Sequence, residues 1–193
     1  KFRTLIGLYN HGKLEEVLSE SEAALAEFPN SVKLWNLQGA ANAGLKRLDA
    51  AIESYKKALK IKPYYADGYN NMGIVLQEKG DPEAAIESFK QALKIKPDYA
   101  EAYNNMGFVL REKGKLQAAI ENYKKALKIK PDYADAYNNM GVVLKDTGEP
   151  KAAIENCKKA LKIKPDYAAA YYNMGNAQQD KGEPEAAIES FQQ

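Results

Sequence analysis

The protein has 193 residues, of which 45% are hydrophobic and 28% are charged, a composition that suits a folded protein and argues against intrinsic disorder. Its formal net charge of +2 predicts no strong attraction to nucleic acid or to acidic membranes. The single cysteine, Cys157, excludes an intrachain disulfide, and no apolar run approaches the roughly 18–20 residues of a membrane span. We therefore expect a cytoplasmic protein, although a removed signal peptide would leave no trace in this sequence.

A 34-residue internal repeat dominates the chain. The sequence YNNMG begins at Tyr69, Tyr103 and Tyr137, and YYNMG begins at Tyr171. Segments 66–99 and 100–133 are identical at 24 of 34 positions, which chance cannot supply. Such a period predicts stacked supersecondary units rather than one globular core. The predicted single domain comprises six repeats: 1–31, which is degenerate, 32–65, 66–99, 100–133, 134–167 and 168–193, which is truncated.

Each repeat is predicted to form two helices, as segment 66–99 illustrates. The first helix carries apolar residues at a spacing close to 3.6 and ends before Gly80, a typical C-terminal capping residue. Asp81 and Pro82 then predict a new N-terminus, because proline at the first helical position loses no hydrogen bond. The second helix ends before Pro97. No segment alternates with a period of two, so we expect no sheet.

Small residues indicate how the two helices of a repeat pack. Gly73 lies inside the first helix, where glycine costs about 1 kcal/mol relative to alanine. Because glycine recurs there at Gly107, Gly141 and Gly175, we expect it to permit close helix–helix contact. Ala85 and its equivalents on the second helix are the predicted facing partners.

These residues match a known family. An aromatic residue (Trp35 or Tyr69), a glycine four residues later, and then alanine, an aromatic residue, alanine and proline at fixed offsets resemble the tetratricopeptide repeat. The resemblance extends to the repeat arrays of bacterial proteins and of O-GlcNAc transferase-like proteins. It implies an all-α fold, an α-solenoid in the form of a right-handed superhelix. Two departures are Gly44, which replaces the later turn glycine, and Cys157, which replaces an aromatic residue.

The sequence offers almost nothing for catalysis. His11 is the only histidine and lies in a predicted turn, whereas Cys157 takes a core position and is expected to be buried and inert. No cysteine or histidine cluster has the spacing of zinc ligands, and no glycine-rich phosphate-binding motif is present. We therefore predict no enzymatic activity, no metal and no cofactor.

The resemblance implies a binding groove, because the first helices of such arrays line the concave surface. The implied groove residues lie opposite the core stripe of each first helix. They are Asp67, Asn71, Ile74 and Glu78, then Glu101, Asn105, Phe108 and Glu112, then Asp135, Asn139, Val142 and Asp146, and finally Asn173. The asparagine column places one amide per repeat, which could bind the backbone of an extended peptide or could bridge neighbouring helices. Both interpretations remain open.

The other groove positions suggest the chemistry of the ligand. Ile74, Phe108 and Val142 are apolar on a face that should be solvated, so they could anchor a ligand or pack against the adjacent repeat. The carboxylates make the stripe acidic. We therefore hypothesise that the ligand is an extended segment with basic and apolar residues. The family's carboxylate clamp for chaperone C-termini does not match, because Asn70 and Asn104 stand where its first lysine would be.

Three functions follow as candidates. The first is a non-catalytic scaffold that binds a peptide or partner protein; the second is a structural module that self-associates, since the apolar side of Ile188 and Phe191 would be open; the third is the targeting region of a larger enzyme. The outer faces of the second helices carry lysines interleaved with glutamates, which favours a solvated surface over nucleic-acid binding. Neither nucleic acid nor membrane is an expected partner.

Overall fold

The computed structural model describes residues 2–193, and across these residues it contains twelve helices and no strand. This confirms the predicted all-α solenoid of helix pairs. The helices are α1 (Phe2–Asn10), α2 (Leu14–Glu27), α3 (Val32–Gly44), α4 (Leu48–Ile61), α5 (Ala66–Glu78), α6 (Pro82–Ile95), α7 (Ala100–Glu112), α8 (Leu116–Ile129), α9 (Ala134–Asp146), α10 (Pro150–Ile163), α11 (Ala168–Lys181) and α12 (Pro184–Phe191).

The helices form two compact units. The first unit ends at Pro97 and contains α1–α6, and the second begins at Asp98 and contains α7–α12. Within each unit the two helices of a repeat pack against each other, and the first helices of successive repeats are also neighbours. The assignment of all six repeats to one domain remains a prediction.

The helix-capping residues Gly80, Asp81 and Pro82 set the helix ends as predicted. Asp81 caps α6, since its Oδ1 accepts a hydrogen bond of 3.0 Å from the Ala84 backbone N–H, and Pro82 occupies the first helical position. Gly80 has a φ of +85°, in the left-handed region. That region carries no steric penalty for glycine, whereas a Cβ atom makes it unfavourable.

One turn breaks this rule. At the position equivalent to Gly80, segment 32–65 has Lys46, which adopts the same left-handed conformation with a φ of 60°. The interpretation that Gly44 replaces the turn glycine was wrong, because Gly44 is the last residue of α3. A Cβ on Gly44 would come within 2.6 Å of the Leu14 Cδ1 atom, so this glycine serves close packing instead.

Relieving the strained backbone at Lys46 should stabilise the protein. We expect Lys46→Gly to raise the free energy of unfolding by about 1 kcal/mol relative to Lys46→Ala, measured by urea denaturation. The alanine variant is the matched control, because both variants lose the ion pair between Lys46 and Glu78 and only one keeps a Cβ atom. Equal stability of the two variants would contradict the assignment of strain.

In four repeats the glycine inside the first helix packs against an aromatic ring of the second helix. A Cβ built on Gly73 would lie 2.7 Å from the Cε1 atom of Phe89, and one on Gly107 would lie 2.8 Å from that of Tyr123. At Gly73 and Gly107 the nearest side chain is thus an aromatic ring and not the predicted alanine, whereas at Gly141 the predicted partner Ala153 is in contact, with its carbonyl oxygen 3.2 Å from such a Cβ. The alanines are fully buried in their own right, but an aromatic ring fills the space that the glycine leaves.

Candidate functional site

All the candidate groove residues lie on first helices, where the sequence placed them, but they divide between the two units. Asp67, Asn71, Ile74 and Glu78 belong to α5 in the first unit, and the others belong to α7, α9 and α11 in the second. Their exposure varies. The four asparagines, Phe108, Val142 and Glu101 are half-buried, whereas Ile74 and the remaining carboxylates Asp67, Glu78, Glu112, Asp135 and Asp146 are exposed.

The asparagine column is linked to a second column of asparagines. In the second unit the Nδ2 of Asn139 donates to the Oδ1 of Asn104 at 3.1 Å, and Asn173 donates to Asn138 at 2.9 Å. In the first unit Asn71 donates to Asn36 at 3.2 Å. Each bond joins the first helix of one repeat to the first helix of the repeat before it. The bridging interpretation therefore describes real contacts.

Sequence reasoning had missed the role of this second column. Asn104 and Asn138 are buried, and the bridge gives the side-chain carbonyl oxygen of each a hydrogen-bond donor, which avoids the cost of burying that oxygen unpaired. The signal was visible in the repeat itself, because YNNMG contains two adjacent asparagines. On a helix, adjacent residues point about 100° apart, so one asparagine can turn inward while the next remains at the edge of the surface.

The bridge leaves part of the Asn139 and Asn173 side chains available. A side-chain amide has two N–H donors and one carbonyl acceptor, and the bridge uses a single donor. For Asn139 the second N–H and the Oδ1 atom remain, and the side chain is half-exposed. Bridging and ligand contact are thus chemically compatible, and the bridge fixes the orientation of the amide.

The three apolar candidates differ in their surroundings. Ile74 is 41% exposed. The ring of Phe108 is half-buried, and the guanidinium carbon of Arg111 lies 4.9 Å from its centroid. Val142 is also half-buried. Ile74 is therefore the most accessible of the three apolar side chains, and Phe108 is partly covered by the Arg111 guanidinium.

Most carboxylates of the stripe have partners within their own unit. Glu78 pairs with Lys46 in the first unit. In the second unit Lys130 lies 3.5 Å from Glu101, and Lys145 lies 3.3 Å from Asp146. These cations neutralise much of the acidity that the sequence suggested, although such exposed pairs are worth only about 0–1 kcal/mol each.

Two tyrosines are part of the same charge pattern. The hydroxyl of Tyr167 donates to Asp135 Oδ1 at 2.8 Å. Burial, and then the hydrogen bond to Asp135, raises the pKa of Tyr167 to about 12. Burial, and then the charge of Glu101, raises the pKa of Tyr133 to about 12. Both hydroxyls therefore stay protonated at neutral pH, and the hydroxyl of Tyr167 donates to a carboxylate.

The residues considered for catalysis are placed as expected. Cys157 is fully buried in α10 and has a free thiol, whose pKa burial raises to about 11. His11 is exposed, and its Nδ1 donates to the Gly7 carbonyl oxygen at 2.7 Å. In residues 2–193 no three His, Cys, Asp or Glu side chains are grouped to hold a metal ion. Within the same range, every helix is too short or too polar to cross a bilayer.

The buried thiol makes alkaline stability a direct test of this environment. The pKa of Cys157 rises from an ordinary 9.0 to about 11 on folding, so its contribution is complete below pH 9. Between pH 9 and 11 the unfolded chain has lost this proton and the folded chain keeps it, so the free energy of unfolding falls as pH rises. We expect a loss of about 1 kcal/mol per pH unit that Cys157→Ala lacks.

Urea denaturation of both proteins at pH 8, 9, 10 and 11 measures this difference. Tyrosine ionisation affects wild type and variant alike, so the difference in slope isolates the thiol. Parallel pH profiles would contradict the assignment. A second readout is the reaction of the native protein with a thiol reagent at pH 8, which we expect to require unfolding.

Family models match most of the sequence. Matches described as TPR repeat cover residues 39–80, 75–111 and 109–148, and matches described as tetratricopeptide repeat cover 134–167 and 156–189. The chain belongs to the tetratricopeptide repeat family. The tetratricopeptide repeat is generally a non-catalytic protein-interaction fold, and this confirms the prediction that the chain is a protein-interaction scaffold.

Solved structures and curated proteins are similar to this tetratricopeptide-repeat chain. A crystal structure of MamA is 32% identical, with a TM-score of 0.72 over 83% of this chain and 88% of MamA. PilW, a type IV pilus biogenesis factor, shares the fold with a TM-score of 0.89 at 23% identity, over 97% of this chain and 87% of PilW. The peroxisomal targeting signal receptor of Candida albicans is 32% identical over 66 residues, which are 34% of this chain and only 11% of the receptor.

Proposed function

We propose that this tetratricopeptide-repeat chain binds an extended segment of a partner protein along the first-helix face of its repeats. The observation that carries the proposal is the pair of bridged, half-exposed asparagines Asn139 and Asn173 in the second unit. Each bridge holds one amide in a fixed orientation and leaves a donor and an acceptor. An extended peptide backbone needs both, because its N–H and C=O groups alternate.

The spacing of the repeats suits such a ligand. Packed helices lie about 8–10 Å apart, and an extended chain rises about 3.3 Å per residue. One asparagine per first helix would therefore meet the ligand backbone about every third residue. The ligand side chains between these contacts would meet the residues that flank the asparagines, such as Val142 and Phe108 in the second unit.

Charge is expected to contribute less to ligand binding than the acidic residues of the stripe suggested from the sequence alone. Because Glu101 and Asp146 already have lysine partners, basic ligand residues must compete with those lysines. We propose a ligand with apolar anchors and a modest preference for basic residues. Titrations at low and high salt test the charge contribution, and a preference for acidic peptides would contradict it.

A double substitution in the second unit tests the binding face. Peptides of 12 residues selected from a random library against the full chain provide the probe. We expect Asn105→Ala combined with Phe108→Ala to weaken their binding by at least about tenfold, measured by calorimetry. The matched control combines Lys124→Ala and Lys128→Ala on the outer face of α8, which should bind as wild type does. Equal loss in both double variants, or loss of helical circular dichroism, would contradict the proposal.

A self-assembly module is the second candidate. On α11 and α12 the side chains of Tyr172 and Ile188 are 62% and 57% exposed, and Phe191 packs beside Tyr172 with ring centroids 5.7 Å apart. This apolar surface favours contact with another copy. Light scattering with Ile188→Lys as the comparison tests it, and a wild-type monomer at every concentration would exclude it.

The Candida albicans relative is by name a receptor for a targeting signal, which is in keeping with peptide recognition. We propose that the chain itself is not an enzyme, uses no cofactor, contacts neither nucleic acid nor membrane, and works in the cytoplasm. No contact within residues 2–193 favours the third candidate function, that of a targeting region in a larger enzyme.

A further inference from the structure

A cavity of about 530 Å³ lies in the first unit, on the side of α5 away from the asparagine column. Its apolar lining comes from α4, α5 and α6 and includes Ile52, Tyr69, Met72 and Leu76. At 100° per residue, Tyr69, Met72 and Leu76 point roughly opposite to Asn71 and Ile74. The cavity is therefore separate from the proposed peptide-binding face.

A cation covers the equivalent aromatic ring in other repeats. The Nζ of Lys57 lies 4.3 Å from the centroid of Trp35. Lys125 over Tyr103 and Lys159 over Tyr137 repeat the arrangement at 5.6 Å each. In all three pairs the lysine follows the aromatic residue by 22 positions. Such cation–π contacts are favourable because the ring face is electronegative.

Tyr69 lacks this cation. The residue 22 positions later is Gln91, whose Nε2 donates to Glu87 Oε1 at 2.8 Å on its own helix. Among residues 2–193 no lysine or arginine lies over the Tyr69 ring, which lines the cavity together with Gln91 and Glu87. One substitution in the repeat pattern thus exposes an aromatic face to a cavity.

The rim of this cavity is acidic on balance. It carries the carboxylates Asp49, Glu53, Asp81 and Glu87 against the two lysines Lys56 and Lys79. Lys79 pairs with Asp49 at 2.5 Å, and Lys56 pairs with Glu53 at 3.0 Å. Glu87 lies one turn before Gln91 on α6 and accepts a hydrogen bond from the uncharged Gln91 amide. The Nζ of Lys90 is 3.9 Å from Glu87 Oε2, a longer distance than in the other two pairs. The unbalanced charge favours a cation in the ligand.

We propose that this cavity binds an arginine side chain of a partner protein, flanked by apolar residues. The guanidinium would take the place that lysine holds in the other repeats, stacked on Tyr69 and paired with Glu87. The aliphatic stem and the flanking residues would pack on Met72 and Leu76. The chain would then contact partners through two separate faces.

The test is a titration of the full, ¹⁵N-labelled chain with the peptide acetyl-Leu-Arg-Leu-amide, followed by amide chemical shifts. We expect shifts concentrated in α4, α5 and α6, and a Kd in the millimolar range. The same peptide with citrulline keeps the shape and removes the charge, so it should bind about fivefold or more weakly. Equal binding of the two peptides would overturn the proposal.

Two opposed substitutions at one position separate binding from structure. Gln91→Lys restores the cation of the other repeats and should weaken the arginine peptide by about fivefold or more, whereas Gln91→Glu should bind it at least as tightly as wild type. A purely structural effect would move both variants in the same direction. Asn71→Ala with Ile74→Ala alters the opposite face of α5 and should leave this titration unchanged, so the two sites fail or succeed independently.

Discussion

Replacing Phe89 by alanine is expected to lower the free energy of unfolding by about 3–5 kcal/mol. The ring is 1% exposed and fills the space above Gly73. Its removal deletes apolar contacts of both helices in the repeat, α5 and α6. The cavity cannot close easily, because Gly73 has no side chain and the neighbouring Ala85 and Ala92 are already fully buried.

The matched control is Cys157→Ala, since Cys157 stands two repeats later at the same position. This variant removes one sulfur atom instead of a ring, so we expect a loss of about 1–2 kcal/mol. Urea denaturation monitored by circular dichroism measures both. Amide exchange in α5 and α6 shows whether Phe89→Ala opens its own repeat first, because repeat arrays unfold partly by neighbouring units. Similar losses in the two variants would contradict the packing role of the ring.

The second large effect on the free energy of unfolding is expected when a single methyl group is added at Gly107. The new Cβ atom would lie 2.8 Å from the Tyr123 ring, which is fully buried and cannot move without disturbing α7 and α8. Overpacking of this kind costs about 1–3 kcal/mol, and the gain in helix propensity returns up to about 1 kcal/mol. We therefore expect Gly107→Ala to destabilise the protein by about 1–2 kcal/mol.

Gly141→Ala is the internal comparison, because no ring opposes Gly141. Its Cβ atom would meet the Cys157 Sγ at 3.0 Å and the Ala153 carbonyl oxygen at 3.2 Å, distances that a small adjustment relieves. We expect the free energy of unfolding to stay within about 0.5 kcal/mol of wild type. If thermal and urea denaturation showed Gly141→Ala to be more destabilising than Gly107→Ala, the close contact between glycine and the aromatic ring would not explain why glycine recurs at this position.

Helix positions were predictable because local residues determine them. Asp81, Pro82 and Gly80 act through their own backbone, so the boundary between α5 and α6 follows from sequence. The partner of Gly73 was not predictable in the same way. Periodicity identifies which face of a helix is buried, but it does not say which side chain of the opposing helix enters the gap. The nearby alanine and the aromatic ring were both compatible with the pattern.

The charge distribution of the candidate face also escaped sequence reasoning. The lysine that pairs with Glu101 is Lys130, 29 residues along the chain, and the hydroxyl that binds Asp135 is on Tyr167, 32 residues along. Each partner lies at the end of the same 34-residue repeat, after its second helix, and it reaches the first helix only when the two helices of the repeat fold together. A stripe drawn on the first helix alone counts the carboxylates and omits the lysine and the tyrosine that follow the second helix.

The asparagine bridges have a consequence for how such a chain can change length. Each bridge joins the same two amides in the same order, for example Asn173 to Asn138 and Asn139 to Asn104. Duplication or excision of one whole 34-residue segment would bring equivalent asparagines into register again and leave no buried amide orphaned. A deletion of any other size would break that register. Gene rearrangements that add or remove complete repeats are therefore the changes in length that this interior tolerates.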